Sequence, residues 1–253
     1  MSYNLNEILA ERSTKTVYRD GDKTIKLFVE DYAKSNILNE ALNQARVEEI
    51  EGLNIPSLAE VTKIGNRWAL VSNHIEGTTL EEAMQANPEK EDEYLNLFVD
   101  IQLDILSKSA PLLTRIKDKF KRKITHTTEI SDDTKYELLQ RLEGMKNHAK
   151  LCHGDFNPSN IILANDGKHY ILDWSHVTQG NASADVARTF LLFSIQGKNE
   201  LADKYLKLFS QKSGIEIKYI QRWIPIVAAT QLTKGIKEEK DFLLKWVNVA
   251  EYQ

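Results

Sequence analysis

Apolar and polar positions follow two rhythms along the chain. Up to about residue 75, short β-like runs are broken by turn residues, and from Thr78 onward most apolar positions recur at helical spacing. "TKTVYRDGDKTIKLFV" reads as two β-like runs around Asp20-Gly21-Asp22, a hairpin signal. "YAKSNILNEALNQARVEEI" carries helix formers without Gly or Pro, and "GLNIPSL" ends it. "LAEVTKIGNRWALVSNHI" is a second hairpin, turning at Gly65-Asn66. The predicted order is strand, strand, helix, strand, strand.

The helical stretch opens at "TTLEEAMQA", a Thr cap with Glu three residues on. "EDEYLNLFVDIQLDILSKS" places Tyr94, Leu97, Phe98, Ile101 and Ile105 on one helix face. "SDDTKYELLQRLEGM" is another helix, and two or three more follow Lys198. One β-like island, 161–173, lies among them. The prediction is an α+β chain of two lobes: a small β-rich lobe over 1–75, a joint near 73–77, and a larger helical lobe over 76–253 with an embedded hairpin.

Composition narrows the partners. A net charge of −4 offers no global field for nucleic acid or an anionic membrane. The basic run 115–123, "RIKDKFKRK", reads as a solvated helix face. Cys152 is the single cysteine, so a disulfide or a Cys-based zinc site within one chain is excluded, which fits a reducing compartment. The start, "MSYNLNEILAERS", is unlike a signal peptide, and "FLLFSI" and "WIPIVAA" are too short to span a bilayer. A cytoplasmic protein is expected, with no nucleic-acid, membrane or obligate protein partner.

The candidate chemistry sits in "LCHGDFNPSN" (151–160) and "YILDWSH" (170–176). Asp166-Gly167 suits a two-residue type I′ loop, which sets Asn160 directly opposite Asp173; a three-residue loop shifts the pairing by one and leaves them neighbours. An amide carbonyl and a carboxylate are hard oxygen ligands that suit Mg²⁺. Asp155, on the loop feeding the same hairpin end, is placed to face an acceptor hydroxyl, a division of labour that phosphoryl transfer requires. Two other readings use the same residues. Asp155, Asn157 and Asn160 serve a polar turn around Pro158, or His153, Asp155, Asp173 and His176, with His169 in reserve, bind zinc, iron or manganese in a hydrolase. The hydrolase reading leaves Asn160 and the N-terminal lobe unused.

"HGDFNPSN" followed by "ILDW" resembles the aminoglycoside phosphotransferase and choline kinase superfamily, whose H-G-D-x-x-x-x-N loop and later Asp correspond to elements of protein kinases. The resemblance covers nearly the whole chain and implies a bilobal protein-kinase-like fold, with an antiparallel-sheet lobe carrying one helix. It implies a kinase that moves the γ-phosphate of ATP, or GTP, to the hydroxyl of a small acceptor such as a sugar, amino alcohol or aminoglycoside. In "TVYRDGDKTIKLF", Lys26 would be the phosphate-binding lysine, and in "NEALNQARV", Glu40 its partner. Asp155 would be the catalytic base, and Asn160 and Asp173 would hold Mg²⁺. His153 would brace the loop, as would Asp185 of "ASADVARTF". Ser72, Asn73 and His74 would line the adenine slot through backbone groups, and Trp174 would pack.

The chain departs from the pattern where the nucleotide-covering loop should lie. "AERSTKTVY" has no glycine, so Ser13, Thr14 and Lys15 are left to supply hydroxyl, amide and ammonium contacts. That motivates an alternative: a nucleotide-binding pseudokinase or regulatory module without turnover. "SHVTQGNAS", which would border the acceptor, is neutral and polar. The acidic residues Glu238, Glu239 and Asp241 alternate with Lys237 and Lys240, which does not favour a polycation.

Overall fold

The computed structural model describes residues 3–247. In chain order the elements begin with β1 (Glu7–Arg12), β2 (Lys15–Asp20), β3 (Lys23–Phe28), α1 (Lys34–Glu48), β4 (Leu58–Ile64), β5 (Arg67–Asn73), β6 (Gly77–Thr79), α2 (Leu80–Ala86) and α3 (Glu91–Ser107). Then come α4 (Ile116–His126), α5 (Asp132–Gly144), β7 (Lys150–Cys152), β8 (Ile161–Ala164), β9 (His169–Ile171) and β10 (Thr178–Gly180). The chain goes on through α6 (Ala182–Ile195), α7 (Asn199–Ser213), α8 (Ile217–Gln221), α9 (Ile224–Leu232) and α10 (Lys237–Val247). Tertiary contacts gather these into two units. One holds the chain up to Pro88 together with Pro158–His176, and the other holds Glu89–Asn157 and the chain from Val177.

The first unit is built on an antiparallel sheet in the order β1-β2-β3-β5-β4. The predicted strands and helix are there, and β1 precedes them unpredicted. Most of β1 is exposed, so its sequence carries little of the alternation that marks a half-buried strand. Alternation along β3 sorts its side chains by face. Ile25 and Leu27 pack with Ala69 and Val71, while Phe28 joins Leu70, Ile37 and Ala41 against α1. Each buried Ile, Leu, Val or Phe among them contributes roughly 1.5–3 kcal/mol. Lys26, two residues before Phe28, therefore faces α1. A second sheet, β6-β8-β9, leads into α2, whose predicted cap is a capping box between Thr79 and Glu82.

The β8–β9 hairpin corrects one expectation. Ile161 pairs with Ile171, and the Leu172 amide donates to the Asn160 carbonyl at 2.8 Å, so Asn160 lies opposite residue 172 and not Asp173. The loop has three residues: Ala164 and Lys168 close it, and Gly167 at φ 81° supplies the left-handed position such a loop needs. Asp173 remains the next residue along, and its φ of 56° is the one positive value among the described non-glycine residues.

The second unit is helical around a buried centre. α9 is buried on every side, and α6 on nearly every side, as a core helix must be to be apolar all round. Phe98 of α3 stacks on Phe156 at 4.5 Å and meets Phe193 and Tyr205. Phe98, Ile101 and Ile105 are buried as predicted, with Tyr94 and Leu97 half-buried. The short antiparallel pair β7–β10 anchors Cys152 opposite Thr178, and the loop 153–157 leaves from that anchor. The basic run is not the uniformly solvated face its composition implied. On α4, Ile116, Phe120 and Ile124 are buried, Lys119 and Lys123 are half-buried beside them, and Asp118, Lys121 and Arg122 are exposed. Among the described residues no helix is long and apolar enough to cross a membrane.

Candidate active site

In the first unit, four charged side chains meet. Lys26 Nζ donates to Glu40 Oε1 at 2.5 Å and to Asp173 Oδ1 at 3.4 Å. Lys15 Nζ donates to Asp173 Oδ2 at 3.0 Å and stands 3.9 Å from Glu40 Oε1. The placement follows from strand and helix periods. Lys26 is on the α1 side of β3, and Glu40 shares the buried stripe of Ile37, Ala41 and Val47 on α1. Asn43, a turn further along α1, donates to the Ser175 carbonyl at 3.4 Å and ties the helix to the segment carrying Asp173.

The electrostatics favour the charged forms. Burial works to lower the Lys26 ammonium, but the charges of Asp173 and Glu40 outweigh it and hold the group above the usual lysine range. Burial works to raise the Asp173 carboxyl, but Lys26, Lys15 and a hydrogen bond from Ser175 hold it well below the usual carboxylate range. Asp173 is thus a firmly ionised oxygen donor, held in a backbone conformation that non-glycine residues seldom adopt and that clusters at functional sites. With the Asn160 side chain one register step away on the hairpin, the donor set is one of hard oxygens, which fits Mg²⁺. Among the described residues no group of three or more His, Cys, Asp or Glu side chains is placed to hold a metal ion, so the histidine-based transition-metal reading has no cluster to rest on.

In the second unit, α6 holds the loop that carries Asp155. Gly154 takes φ 81°, a value open to glycine, and its amide donates to Asp185 Oδ1 at 2.6 Å. The Asp155 amide donates to His153 Nδ1 at 3.2 Å, and His153 is fully buried against the edge of Phe156. One turn after Asp185, Arg188 Nη2 donates to Asp155 Oδ1 at 3.2 Å, and Thr189 Oγ1 donates to the Phe156 carbonyl at 2.9 Å. Residues 185, 188 and 189 form one helix face, so a single rigid element sets both the backbone and the carboxylate of the loop. Burial pushes the Asp185 carboxyl up, with His153 and the Gly154 amide working against it.

Other predicted residues fall at the sheet's edges. Ser13 and Thr14 form the two-residue turn between β1 and β2, where Arg12 pairs with Lys15, and neither takes a positive φ. Ser72 and Asn73 end β5, opposite Thr24 and Lys23, and His74 follows. The Asn73 and His74 amides are engaged in the fold, with the Ser57 and Asp22 carbonyls at 3.0 and 2.8 Å. Thr24 Oγ1 and His74 Nδ1 share a hydrogen bond of 2.9 Å, and burial with Arg19 nearby lowers the imidazole. Trp174 is buried and donates from Nε1 to the Ile171 carbonyl at 3.1 Å, the packing role expected of it. Arg188 is the functional candidate that sequence reasoning missed. Its signal was present in "ADVAR", where a basic residue follows Asp185 at helical spacing.

The antiparallel sheet, its one packed helix and the helical unit with a buried, helix-braced loop define a kinase-like architecture. The phosphotransferase enzyme family matches the chain over residues 7–216, and the chain belongs to that family. Solved structures share the fold. A thermostable mutant of aminoglycoside phosphotransferase APH(4)-Ia, in ternary complex with AMP-PNP and hygromycin B, superposes with a TM-score of 0.71 at 12% identity, over 98% of this chain and 95% of that one. ADP-bound aminoglycoside phosphotransferase APH(2'')-Ib gives 0.63 at 17% identity, over 100% and 93%. The streptomycin-ATP-APH(2")-IIa ternary complex gives 0.58 at 16%, over 99% and 91%. No curated protein sequence matches the chain.

Proposed function

We propose that this phosphotransferase moves the γ-phosphoryl group of ATP or GTP to a hydroxyl of a small molecule, with Asp155 as the base that orients the hydroxyl and accepts its proton. The observation that carries this reading is the ion-paired set of Lys15, Lys26, Glu40 and Asp173 on the sheet and hairpin of one unit. Lys26, fixed by Glu40, holds phosphate oxygens, and Lys15 adds a second ammonium beside the glycine-free turn of Ser13 and Thr14. Asn160 and Asp173 would hold Mg²⁺, which when bound neutralises charge on the phosphates. Arg188 fixes the Asp155 carboxylate, while His153 and Asp185 keep its loop in shape. The complexes of related folds hold nucleotides and aminoglycosides, which supports a nucleotide and a small hydroxyl acceptor as the two ligands.

Thermal shift with ATP, with and without Mg²⁺, and a turnover screen over sugars, amino alcohols, aminoglycosides and hydroxy acids test the proposal. Asp155→Ala is expected to cut turnover by about 10²–10⁴-fold and to keep Mg-dependent stabilisation by ATP. Intact turnover in that variant defeats the assignment of Asp155. A second reading, a nucleotide-binding module without turnover, draws on the glycine-free turn and on Lys15 pairing with Asp173. One phosphorylated product from the screen eliminates it.

A further inference from the structure

Resting on the phosphotransfer reading, we infer that Gln231 of α9 and Glu239 of α10 are positioning residues that act on Asp155 through Arg188. The four side chains form one hydrogen-bonded line inside the second unit. Arg188 Nη2 donates to Asp155 Oδ1 at 3.2 Å, and Nη1 donates to Gln231 Oε1 at 2.5 Å. The other end of the same amide, Gln231 Nε2, donates to Glu239 Oε2 at 2.6 Å. The fold collects them from four places in the chain. Asp155 is on the loop after β7, and Arg188 is on α6. Gln231 is in the last turn of α9, and the Lys234 and Gly235 amides close that turn on the Gln231 and Leu232 carbonyls at 2.9 and 3.0 Å. The chain then reverses, and the first turn of α10 sets Glu239 against Gln231.

The chemistry of the groups gives the line a direction. A guanidinium only donates, an ionised carboxylate only accepts, and an amide has one end of each kind. One orientation of Gln231 satisfies both neighbours. The reversed amide would set donor against donor and acceptor against acceptor, so Glu239 decides which end of Gln231 faces Arg188. Arg188 is 7% exposed and Gln231 4%, so a bond lost there leaves a buried polar group unpaired. With Nη1 held, the planar guanidinium is fixed and Nη2 stays aimed at Asp155, the carboxylate proposed to orient the acceptor hydroxyl. Packing of α10 does not depend on this bond. Leu243 and Val247 are buried, Trp246 meets Phe190 edge-on at 5.7 Å, and Lys240 pairs with Glu129 at 2.8 Å. Of these contacts, the Glu239 bond is the one that continues to Asp155.

A swap of donor and acceptor tests the inference. Gln231→Glu alone sets two carboxylates against each other where the 2.6 Å bond stood. It should lower kcat about tenfold and leave the KM for ATP within about twofold. Adding Glu239→Gln restores a donor facing an acceptor, and the double variant should recover kcat to within about threefold of the parent chain. Glu239→Ala, at a half-buried position, removes the acceptor without adding a charge and should lower kcat about three- to fivefold. Lys240→Met breaks the pair with Glu129 and spares the line, so kcat should stay within about twofold. Amide hydrogen exchange over 153–157 is a readout apart from turnover. It should be faster by about threefold or more in Gln231→Glu and return to the parent rate in the double variant. No recovery in the double variant, an unchanged kcat in Glu239→Ala, or an equal loss in Lys240→Met overturns the inference. Intact turnover in Asp155→Ala defeats the assigned base instead, and the exchange rates then decide by themselves whether Glu239 and Gln231 order the loop.

Discussion

Lys26 and Lys119 are the same side chain in opposite surroundings. Both are withdrawn from water, which penalises an ammonium. Around Lys26 the carboxylates of Asp173 and Glu40 outweigh that penalty and the proton is held more tightly than usual. Around Lys119 four cations add to it, and the proton is released near pH 7. The first cluster sets Lys15 and Lys26 against Glu40 and Asp173, so it keeps its shape without a ligand, as the proposed phosphate site requires. Internal ion pairing orders the four residues of the first set.

The largest effect should come from unbalancing the compensated cluster. Asp173→Ala leaves Lys15 and Lys26 sharing Glu40 and removes the ionised oxygen from the hairpin. Turnover is expected to fall by about 10³-fold or more, with loss of the Mg-dependent part of the ATP thermal shift. A retained Mg-dependent shift would refute the ligand assignment. Glu40→Gln removes one carboxylate and keeps the shape. It should lower kcat/KM for ATP by roughly 10–100-fold, because Lys26 loses its positioning partner and not its charge. An unchanged kcat/KM would mean that Asp173 alone fixes Lys26.

The two clusters were unequally legible in the sequence. Asp155, Asn160 and Asp173 stood out because a loop motif and a hairpin signal lie close together in the chain, and local spacing carries most of their arrangement. The register was off by one because Asp166-Gly167 suits both two- and three-residue loops, and only the Ala164–Lys168 closure separates them. Strands β6, β7 and β10 have three residues each, too few to show a period. Lys119 and Lys123 were hidden within a run of like charges. Composition reports how many lysines a helix has, but not which of them packing against α9 draws out of water. Arg188 was passed over for a related reason. Its partner Asp155 lies 33 residues away, and only the folded α6 brings the two together.

A pH series sharpens the contrast. In the folded chain Lys119 gives up its proton near pH 7, and in the unfolded chain near 10.4. Between these values the unfolded state binds more protons, so this group makes stability rise with pH. Below pH 7 it is charged in both states and the full penalty stands. Lys119→Met keeps the apolar stem and removes the charge, so it should stabilise the free protein by about 1–2 kcal/mol at pH 7. The gain should fade as the pH approaches 10. Melting curves of both proteins from pH 6.5 to 9.5 measure it, and a constant difference across that range would locate the effect in packing and not in charge.

The smallest effect isolates the like-charge component from burial. Arg122 is exposed on α4, and its charge acts on both Lys119 and Lys123. Arg122→Ala leaves the packing of Ile116, Phe120 and Ile124 in place and costs α4 little helix propensity. Losing one of several repelling cations should therefore stabilise the free chain by about 0.3–0.5 kcal/mol at low salt. Screening sets the second half of the test. At about 1 M salt the Debye length is roughly 3 Å, so most of the gain should disappear. A gain that survives salt would be one of helix propensity, and the charge acting on Lys119 would then come from Lys123, Arg188 and Lys234.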